Sequence, residues 1–263
     1  MVAPGAMVEL LAARPEVAAV LLDFDGSLSA IEIDPEKVTA PAATLALLSR
    51  LAERLALVAI VSGRPLDFLD RVVPIPSIEL FGQYGLERRV DGRTVVEPAA
   101  LPYREAVAAA ADEAARRWPE LLIERKGEIA VTVHWRAMGE ISDARVAEID
   151  ALGTRLGLAV YPTRMARELR PPLTLDKGTA VCALLADTPG VTRAAYAGDD
   201  RGDLPAFDAL AALAERGDLD GIVRVAVDSE EAPGELVERA DLVVAGPAGL
   251  FDWLTALADA LTA

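Results

Sequence analysis

Short continuous runs of apolar residues alternate along the chain with segments whose apolar residues recur at helical spacing. Residues 17–24 are apolar without alternation, which is typical of a strand buried on both faces of a parallel sheet. A helical pattern follows over 41–54, then a second apolar run over 57–61 and a further helix over 62–73. The order strand, helix, strand, helix predicts an α/β fold with a doubly wound parallel sheet.

A third strand and a hairpin are predicted next. Residues 78–81 form another apolar run, and 87–96 predicts a β-hairpin because Asp91-Gly92 lies between two short strand-like segments. From residue 99 to residue 171 the order changes to helix, strand, strand, helix, strand, strand, and prolines stand at both ends of this segment. We therefore predict an inserted α+β domain over 99–171.

The parallel rhythm resumes after this insert. The pattern predicts a helix over 176–185, a strand over 193–197, an acidic loop over 198–203, strands over 222–227 and 242–244, and a closing helix over 247–261. The core domain is therefore expected to consist of residues 1–98 and 172–263.

Composition narrows the possible functions. The chain has 263 residues, of which 52% are hydrophobic, and this excludes a disordered chain. Its formal charge of −16 has the wrong sign for binding a polyphosphate backbone, so we expect no nucleic-acid partner. Cys182 and His134 are the only cysteine and histidine, which excludes sites built from several thiolates or imidazoles. A catalytic metal must then rest on carboxylates, which favours Mg²⁺.

The N-terminal stretch 1–22 is fairly apolar, but charged residues interrupt it before the roughly 18 residues that a membrane span needs. We therefore expect neither a signal peptide nor a membrane anchor. The expectation is a cytoplasmic monomer without a membrane partner.

Two acidic motifs follow predicted strands. Asp23 and Asp25 come directly after the first strand, spaced so that both carboxylates face one centre, and Gly26 frees the backbone to turn. The second of these acidic motifs, which is the fourth motif in chain order, carries three carboxylates, Asp199, Asp200 and Asp203. Carboxylates packed this closely repel one another unless a cation or protons intervene. Taken singly, each motif is also explained by solvated turn residues.

Two helix starts complete the set. Ser62 offers a hydroxyl beside free N–H groups that would stabilise a phosphoryl oxygen, although an ordinary N-cap serine is the better explanation of this residue alone. Lys177, one of three lysines, lies at a helix start where a cation needs an anionic partner, and a solvated lysine beside Asp176 explains it equally well. Because all four motifs lie at strand ends or helix starts, together they predict one site at one sheet edge.

The order of these motifs resembles that of the haloacid-dehalogenase-like phosphatases. More specifically, the sequence is similar to the trehalose-6-phosphate phosphatase family over nearly its whole length, at Asp23-Phe24-Asp25-Gly26, 60–65, 168–172, Lys177-Gly178-Thr179-Ala180 and Gly198-Asp199-Asp200. The resemblance implies a Rossmann-like haloacid-dehalogenase core with the inserted α+β domain as a cap. It also implies a magnesium-dependent phosphatase that hydrolyses trehalose 6-phosphate to trehalose and phosphate through an aspartyl-phosphate.

The resemblance assigns the catalytic roles. Asp23 would attack phosphorus, and Asp25 would protonate the departing sugar oxygen and later activate water. Ser62 and Lys177 would neutralise charge on the phosphoryl group, which a carboxylate nucleophile needs.

The metal site also follows from the resemblance. Mg²⁺ would be held by the carboxylate of Asp23, the main-chain carbonyl of Asp25 and Asp199. Asp203, and less directly Asp200, would orient the ion or the lysine of the site.

The cap implied by the family binds the sugar. A Glu-x-Lys pair and a later glutamate correspond here to Glu124, Lys126 and Glu168, whereas a surface ion pair on a strand is the preferred explanation of the first two without the family. Arg64 would reach the phosphate or the cap, or form a structural salt bridge. His134 lies in a strand that resembles a His-Tyr-Arg segment of the family, and we expect it to be packed or surface-paired rather than part of the site.

Several positions depart from the family pattern: Ser27 for threonine, Tyr84 for histidine, and Gly202 and Leu204 for a threonine and a glutamate of the fourth motif. These departures concern sugar specificity and metal affinity. Phosphatase chemistry on another sugar or cyclitol phosphate is therefore the main alternative.

Two non-enzymatic alternatives exist. A receiver-like signalling module is disfavoured by the chain length and the insert, and a catalytically dead sugar-phosphate-binding protein is disfavoured by the intact Asp23 and Asp25.

Overall fold

A computed structural model describes residues 4–31, 37–163, 165–228 and 232–262. Contacts divide the chain into two compact units. Met1–Thr94 and Leu175–Ala263 form the first, here called the core unit, and Val95–Thr174 forms the second, here called the inserted unit. The sequence places these boundaries after residues 98 and 171 instead.

The helices in the described residues are α1 Pro4–Ala12, α2 Ala42–Ala52, α3 Leu66–Val72, α4 Arg104–Arg117, α5 Asp143–Arg155, α6 Lys177–Asp187, α7 Leu204–Glu215, α8 Gly234–Arg239 and α9 Gly246–Ala260. The strands are β1 Ala18–Leu22, β2 Leu57–Val61, β3 Glu79–Gly82, β4 Glu87–Val90, β5 Arg93–Val96, β6 Leu122–Lys126, β7 Ala130–His134, β8 Ala159–Thr163, β9 Ala166–Arg170, β10 Arg193–Gly198, β11 Gly221–Asp228 and β12 Leu242–Ala245. The sequence pattern did not predict α1, α7 or α8.

The larger sheet has the order β12-β11-β10-β1-β2-β3-β4-β5. Its first six strands in this order pair in parallel, and β4 is antiparallel to β3. From β1 the chain adds strands in one direction, and from β10 it adds them in the other. The boundary between β1 and β10 is therefore the topological switch point, where open α/β sheets bind ligands at the carboxyl ends of their strands.

Both faces of the parallel strands are buried. All five residues of β1 are buried, because alternate side chains enter different helix layers. Val20 packs with residues of α1, α2, α3 and α9, whereas Leu21 packs with residues of α6, α7 and α8. This two-sided burial explains why the first strand is continuously apolar rather than alternating.

The inserted unit has its own sheet, in the order β6-β7-β9-β8, with antiparallel pairing throughout. Val131, Val133 and Leu169 pack in one cluster with residues of α4 and α5. Because side chains alternate along a strand, Thr132, His134 and Glu168 have the opposite direction. The sheet therefore buries one apolar face under two helices.

Among the described residues, none of the helices combines the length and the apolar character that crossing a bilayer requires. The N-terminal stretch that the sequence analysis considered contains α1 and β1, and its residues 1–3 lie outside the described part.

Candidate active site

The switch point brings the first and fourth motifs together. Asp23 follows β1, Asp199 follows β10, and the Asp23 N–H donates to the Ala197 carbonyl at 2.9 Å. Oxygens of Asp23, Asp199 and Asp203 lie within 4.8 Å of one another, and all three residues are buried. Residues that are 176 positions apart in the chain therefore form one acidic cluster.

Lys177 supplies the positive charge of this cluster. Its Nζ donates to Asp23 Oδ1 at 2.7 Å and to Asp203 Oδ1 at 2.7 Å, and the residue is 3% exposed. Asp176 caps α6 by accepting from the Thr179 N–H at 2.8 Å, so the helix begins at Lys177. The helix start thus places the ammonium between two carboxylates rather than in solvent.

Burial and mutual repulsion control the protonation of these groups. Burial raises the pKa of Asp23 well above its ordinary value, although Lys177 opposes this effect. Burial also raises the pKa of Asp199 to about 7, and Asp203 adds to this shift by like-charge repulsion. Burial lowers the pKa of Lys177, but the carboxylates of Asp203 and Asp23 outweigh it, so the pKa rises well above its ordinary range. One ammonium therefore does not neutralise the cluster.

Asp203 holds the loop and the lysine in place. Its Oδ1 accepts from Lys177 and from the Tyr196 hydroxyl at 2.6 Å, and its Oδ2 accepts from the backbone N–H groups of Asp199 and Asp200, each at 3.0 Å. Both oxygens therefore accept two hydrogen bonds within the protein, as a fully satisfied carboxylate does.

Asp25 and Arg64 form a bidentate ion pair. The Nη2 and Nε of Arg64 lie 2.7 and 2.8 Å from the two Asp25 oxygens. Ser62 is buried, and its hydroxyl accepts from the Arg64 N–H at 3.2 Å. The arginine also stacks on the Phe68 ring, 4.4 Å from its centroid. The structure thus gives Arg64 the structural salt bridge that the sequence analysis weighed against a phosphate contact.

The cluster has the character of a site for a hard divalent cation. Its donors are carboxylate oxygens, which Mg²⁺ prefers, and burial together with repulsion from Asp203 raises the pKa of Asp199. The backbone leaves room for it, because a Cβ added at Gly26 would lie 2.1 Å from Asp199 Oδ2. Asp23 and Asp199 are the residues that would hold the ion with their side chains.

The predicted sugar-binding residues form a second group, within the inserted unit. Lys126 Nζ donates to Glu168 Oε2 at 2.7 Å, and Glu124 Oε2 lies 2.7 Å from His134 Nε2. Lys126 on β6 therefore forms an ion pair with Glu168 on β9, across the intervening strand β7.

Tyr196 and Ser27 contact the acidic cluster, although neither was predicted as a site residue. Tyr196 is fully buried in β10. Because it lies within an apolar run, the sequence indicated only a core side chain and not a hydrogen-bonding hydroxyl. Ser27 was identified only as a serine in place of the threonine of the family's first motif. In the structure its hydroxyl lies 3.5 Å from Asp199 Oδ1. His134 was expected to be packed or surface-paired, and it is paired with Glu124. Its alternation with Val133 in a strand was the signal that it lies on the same face as Thr132.

Comparison with known proteins agrees with this architecture. The trehalose-phosphatase family model matches residues 21–235. The trehalose-phosphate phosphatase of Mycobacterium marinum is 36% identical over 205 residues, which cover 73% of this chain and 51% of that protein. The chain thus spans about half the length of the curated relatives it matches.

Solved structures share the fold. A trehalose-6-phosphate phosphatase related protein superposes with a TM-score of 0.76 at 25% identity, covering 92% of this chain and 97% of that one. A haloacid dehalogenase-like hydrolase from Bacteroides thetaiotaomicron gives a TM-score of 0.63 at 17% identity, covering 90% and 98%. These matches confirm the predicted α/β fold with a haloacid-dehalogenase core, and the match of the family model to most of the chain shows that the protein belongs to the trehalose-phosphatase family.

Proposed function

We propose that this protein is a phosphatase that hydrolyses trehalose 6-phosphate to trehalose and inorganic phosphate. The observation that carries the proposal is the contact of Lys177 Nζ with Asp23 at 2.7 Å, inside a cluster that also contains Asp199 and Asp203. A buried carboxylate beside an ammonium and a hard-cation site is suited to attack on a phosphate dianion.

In the first step, an Asp23 carboxylate oxygen attacks phosphorus. The bond between phosphorus and that oxygen forms while the bond between phosphorus and the sugar oxygen breaks. Asp25 gives its proton to the departing sugar oxygen, so that trehalose leaves as a neutral alcohol. Lys177 and the Ser62 hydroxyl stabilise the phosphoryl oxygens during this step.

In the second step, Asp25 removes a proton from water, and the water oxygen attacks phosphorus. The bond between phosphorus and Asp23 breaks, phosphate leaves, and the Asp23 carboxylate is restored. Asp25 is again protonated and ready for the next substrate. Mg²⁺, when bound by Asp23, Asp199 and the Asp25 carbonyl, supplies positive charge that neutralises the phosphoryl group.

The ion pair between Arg64 and Asp25 links two proposed roles. Both Asp25 oxygens accept hydrogen bonds from Arg64, so both are engaged by the guanidinium. Proton donation by Asp25 therefore requires the guanidinium to turn away, and the substrate phosphate is the anion to which it would turn. Arg64 would then bind substrate and release the acid in one movement.

Asp203 serves the reaction through its neighbours. Because each of its oxygens already accepts two hydrogen bonds, we assign it to positioning Lys177 and the loop at Asp199. In the inserted unit, Glu124, Lys126 and Glu168 are proposed to bind the sugar hydroxyls, which both donate and accept hydrogen bonds. The trehalose-phosphate phosphatase name of the Mycobacterium marinum relative supports trehalose 6-phosphate as the substrate.

The test is release of inorganic phosphate from trehalose 6-phosphate by the purified protein. We expect turnover with Mg²⁺, loss of turnover with a chelator, and recovery when Mg²⁺ is restored. The Asp23→Asn variant should have no activity, whereas acid quenching of the wild type should trap phosphate on Asp23, detected by mass spectrometry. Full activity of Asp23→Asn, or full activity in chelator, would contradict the proposal.

Substrate identity is tested separately. We expect kcat/KM for trehalose 6-phosphate to exceed that for a panel of hexose, disaccharide and cyclitol phosphates. Equal or faster turnover of another member of the panel would remove the trehalose assignment while leaving the phosphatase chemistry in place.

A further inference from the structure

The sheet of the inserted unit places three polar residues in one row. Glu124 on β6 pairs in register with Thr132 on β7, which pairs with Glu168 on β9. Their side chains share one face, opposite the face that packs against α4 and α5. Neighbouring strands lie about 4.8 Å apart, so the two carboxylates flank the threonine at similar distances.

Both carboxylates of the row have polar partners. Lys126 donates to Glu168, and His134 contacts Glu124, with 2.7 Å between Nε2 and Oε2. His134 lies two residues after Thr132, so it is the diagonal cross-strand neighbour of Glu124. Since a carboxylate oxygen accepts, the imidazole donates from Nε2.

The geometry restricts the Glu124 side chain. A glutamate on a strand has three rotatable side-chain bonds, and the contact with a planar imidazole selects one orientation of its carboxylate. Both side chains are largely shielded from solvent, with exposures of 22% for His134 and 24% for Glu124, so water competes less for the contact than on an open surface.

A second feature of the same row indicates a ligand. Thr132 is 2% exposed, and its Oγ1 has no hydrogen-bond partner among the described residues. A buried hydroxyl without a partner is destabilising, and native structures rarely retain one without a reason. A polyhydroxylated ligand on this face would offer hydroxyl groups, which both donate and accept.

We infer that His134 is a positioning residue for sugar recognition: it holds the Glu124 carboxylate in the orientation that accepts a hydrogen bond from a sugar hydroxyl. This inference rests on the proposed function. It assigns a role in substrate binding, and none in the phosphoryl transfer, to the single histidine of the chain.

The kinetic test compares two substrates. In His134→Phe, the KM for trehalose 6-phosphate should rise about tenfold, the equivalent of one hydrogen bond to a charged group, while kcat changes little. Hydrolysis of 4-nitrophenyl phosphate, which has no sugar, should be unchanged and shows that the variant is folded. His134→Gln should recover most of the affinity, because its amide nitrogen replaces the Nε2 donor.

Arg125→Gln is the matched control. Arg125 also lies on β6, but it forms an exposed ion pair with Asp112 at 2.5 Å. Loss of this ion pair should leave the hydrolysis of both substrates unchanged. An unchanged KM in His134→Phe, or an equal loss of activity on both substrates, would overturn the inference. Absence of trehalose 6-phosphate turnover by the wild type would instead overturn the proposed function, and the inference with it.

The single histidine permits a direct observation. Protein labelled with ¹³C-histidine should give one imidazole Cε1–H resonance. Trehalose should shift it in a saturable manner, and inorganic phosphate with Mg²⁺ should not. A resonance that stays in place at saturating trehalose, in a protein that hydrolyses trehalose 6-phosphate, would refute the assignment of His134.

Discussion

A methyl group added at Gly26 tests whether the acidic cluster acts as one site. Gly26 has φ +78, and its added Cβ would lie 2.1 Å from Asp199 Oδ2. Gly92 is the matched control, because it has a similar φ of +70 but nothing within 4 Å of the added Cβ. Alanine at either position adopts a left-handed conformation that costs about 1–2 kcal/mol.

The two variants should differ in activity much more than in stability. Contacts under 3.0 Å are essentially never seen for a real Cβ, so the Asp199 carboxylate must move by roughly an ångström in Gly26→Ala. A displacement of that size at reacting groups costs on the order of 100-fold in rate. Gly92→Ala should keep the wild-type rate, since its methyl group contacts nothing.

The assay is phosphate release from trehalose 6-phosphate at several Mg²⁺ concentrations, with thermal unfolding measured in parallel. Mg²⁺ should raise the unfolding midpoint of the wild type and of Gly92→Ala more than that of Gly26→Ala, because a ligand stabilises the state that binds it. If Gly26→Ala kept an activity within twofold of Gly92→Ala, the placement of Asp199 in the working site would be refuted.

Three further predictions concern stability. Lys177→Met should lower the free energy of unfolding in chelator by about 3–5 kcal/mol, because it leaves buried carboxylates without their cation; an unchanged melting midpoint would contradict this. Tyr196→Phe removes the hydroxyl that donates to Asp203 and should cost about 1.5–3 kcal/mol in urea unfolding, and no change would show that the hydrogen bond is not maintained. Burial raises the pKa of Asp241, but hydrogen bonds from Arg224 outweigh it and lower the pKa from its ordinary value of 3.8. This carboxylate therefore stabilises the fold above about pH 4 and loses that effect as pH falls through the lowered pKa. The difference in unfolding free energy between wild type and Asp241→Asn should therefore disappear in acid. A difference that does not depend on pH would contradict this.

The apolar runs determined most of the core elements. The predicted strand over 57–61 is β2 as observed, and the hairpin over 87–96 has its two turn residues at Asp91-Gly92, between β4 and β5. The helices α1, α7 and α8 were not predicted. In α7, Phe207, Leu210 and Leu213 recur at helical spacing and are buried, so the periodic signal for this helix was present in the sequence.

Within the candidate site, the sequence supplied the residue types and the structure supplied their partners. Residue spacing alone placed Asp23 and Asp25 side by side, yet they have different partners in the fold: Lys177 for the first and Arg64 for the second. Local periodicity cannot show such pairs, because the residues are separated by 154 and 39 positions. Likewise, no pattern within β7 shows that His134 meets Glu124, since that contact depends on the antiparallel register with β6.

The sequence by itself determined that carboxylates, a serine and a lysine stand at the ends of buried strands and the starts of helices, because burial and backbone geometry are encoded by neighbouring residues. The tertiary structure decided that β10 lies beside β1, which brings Asp23 and Asp199 together with Lys177 and Asp203 in one cluster. Strand order results from packing whole helices on both faces of the sheet. It depends on long-range contacts, which no local segment of the sequence determines.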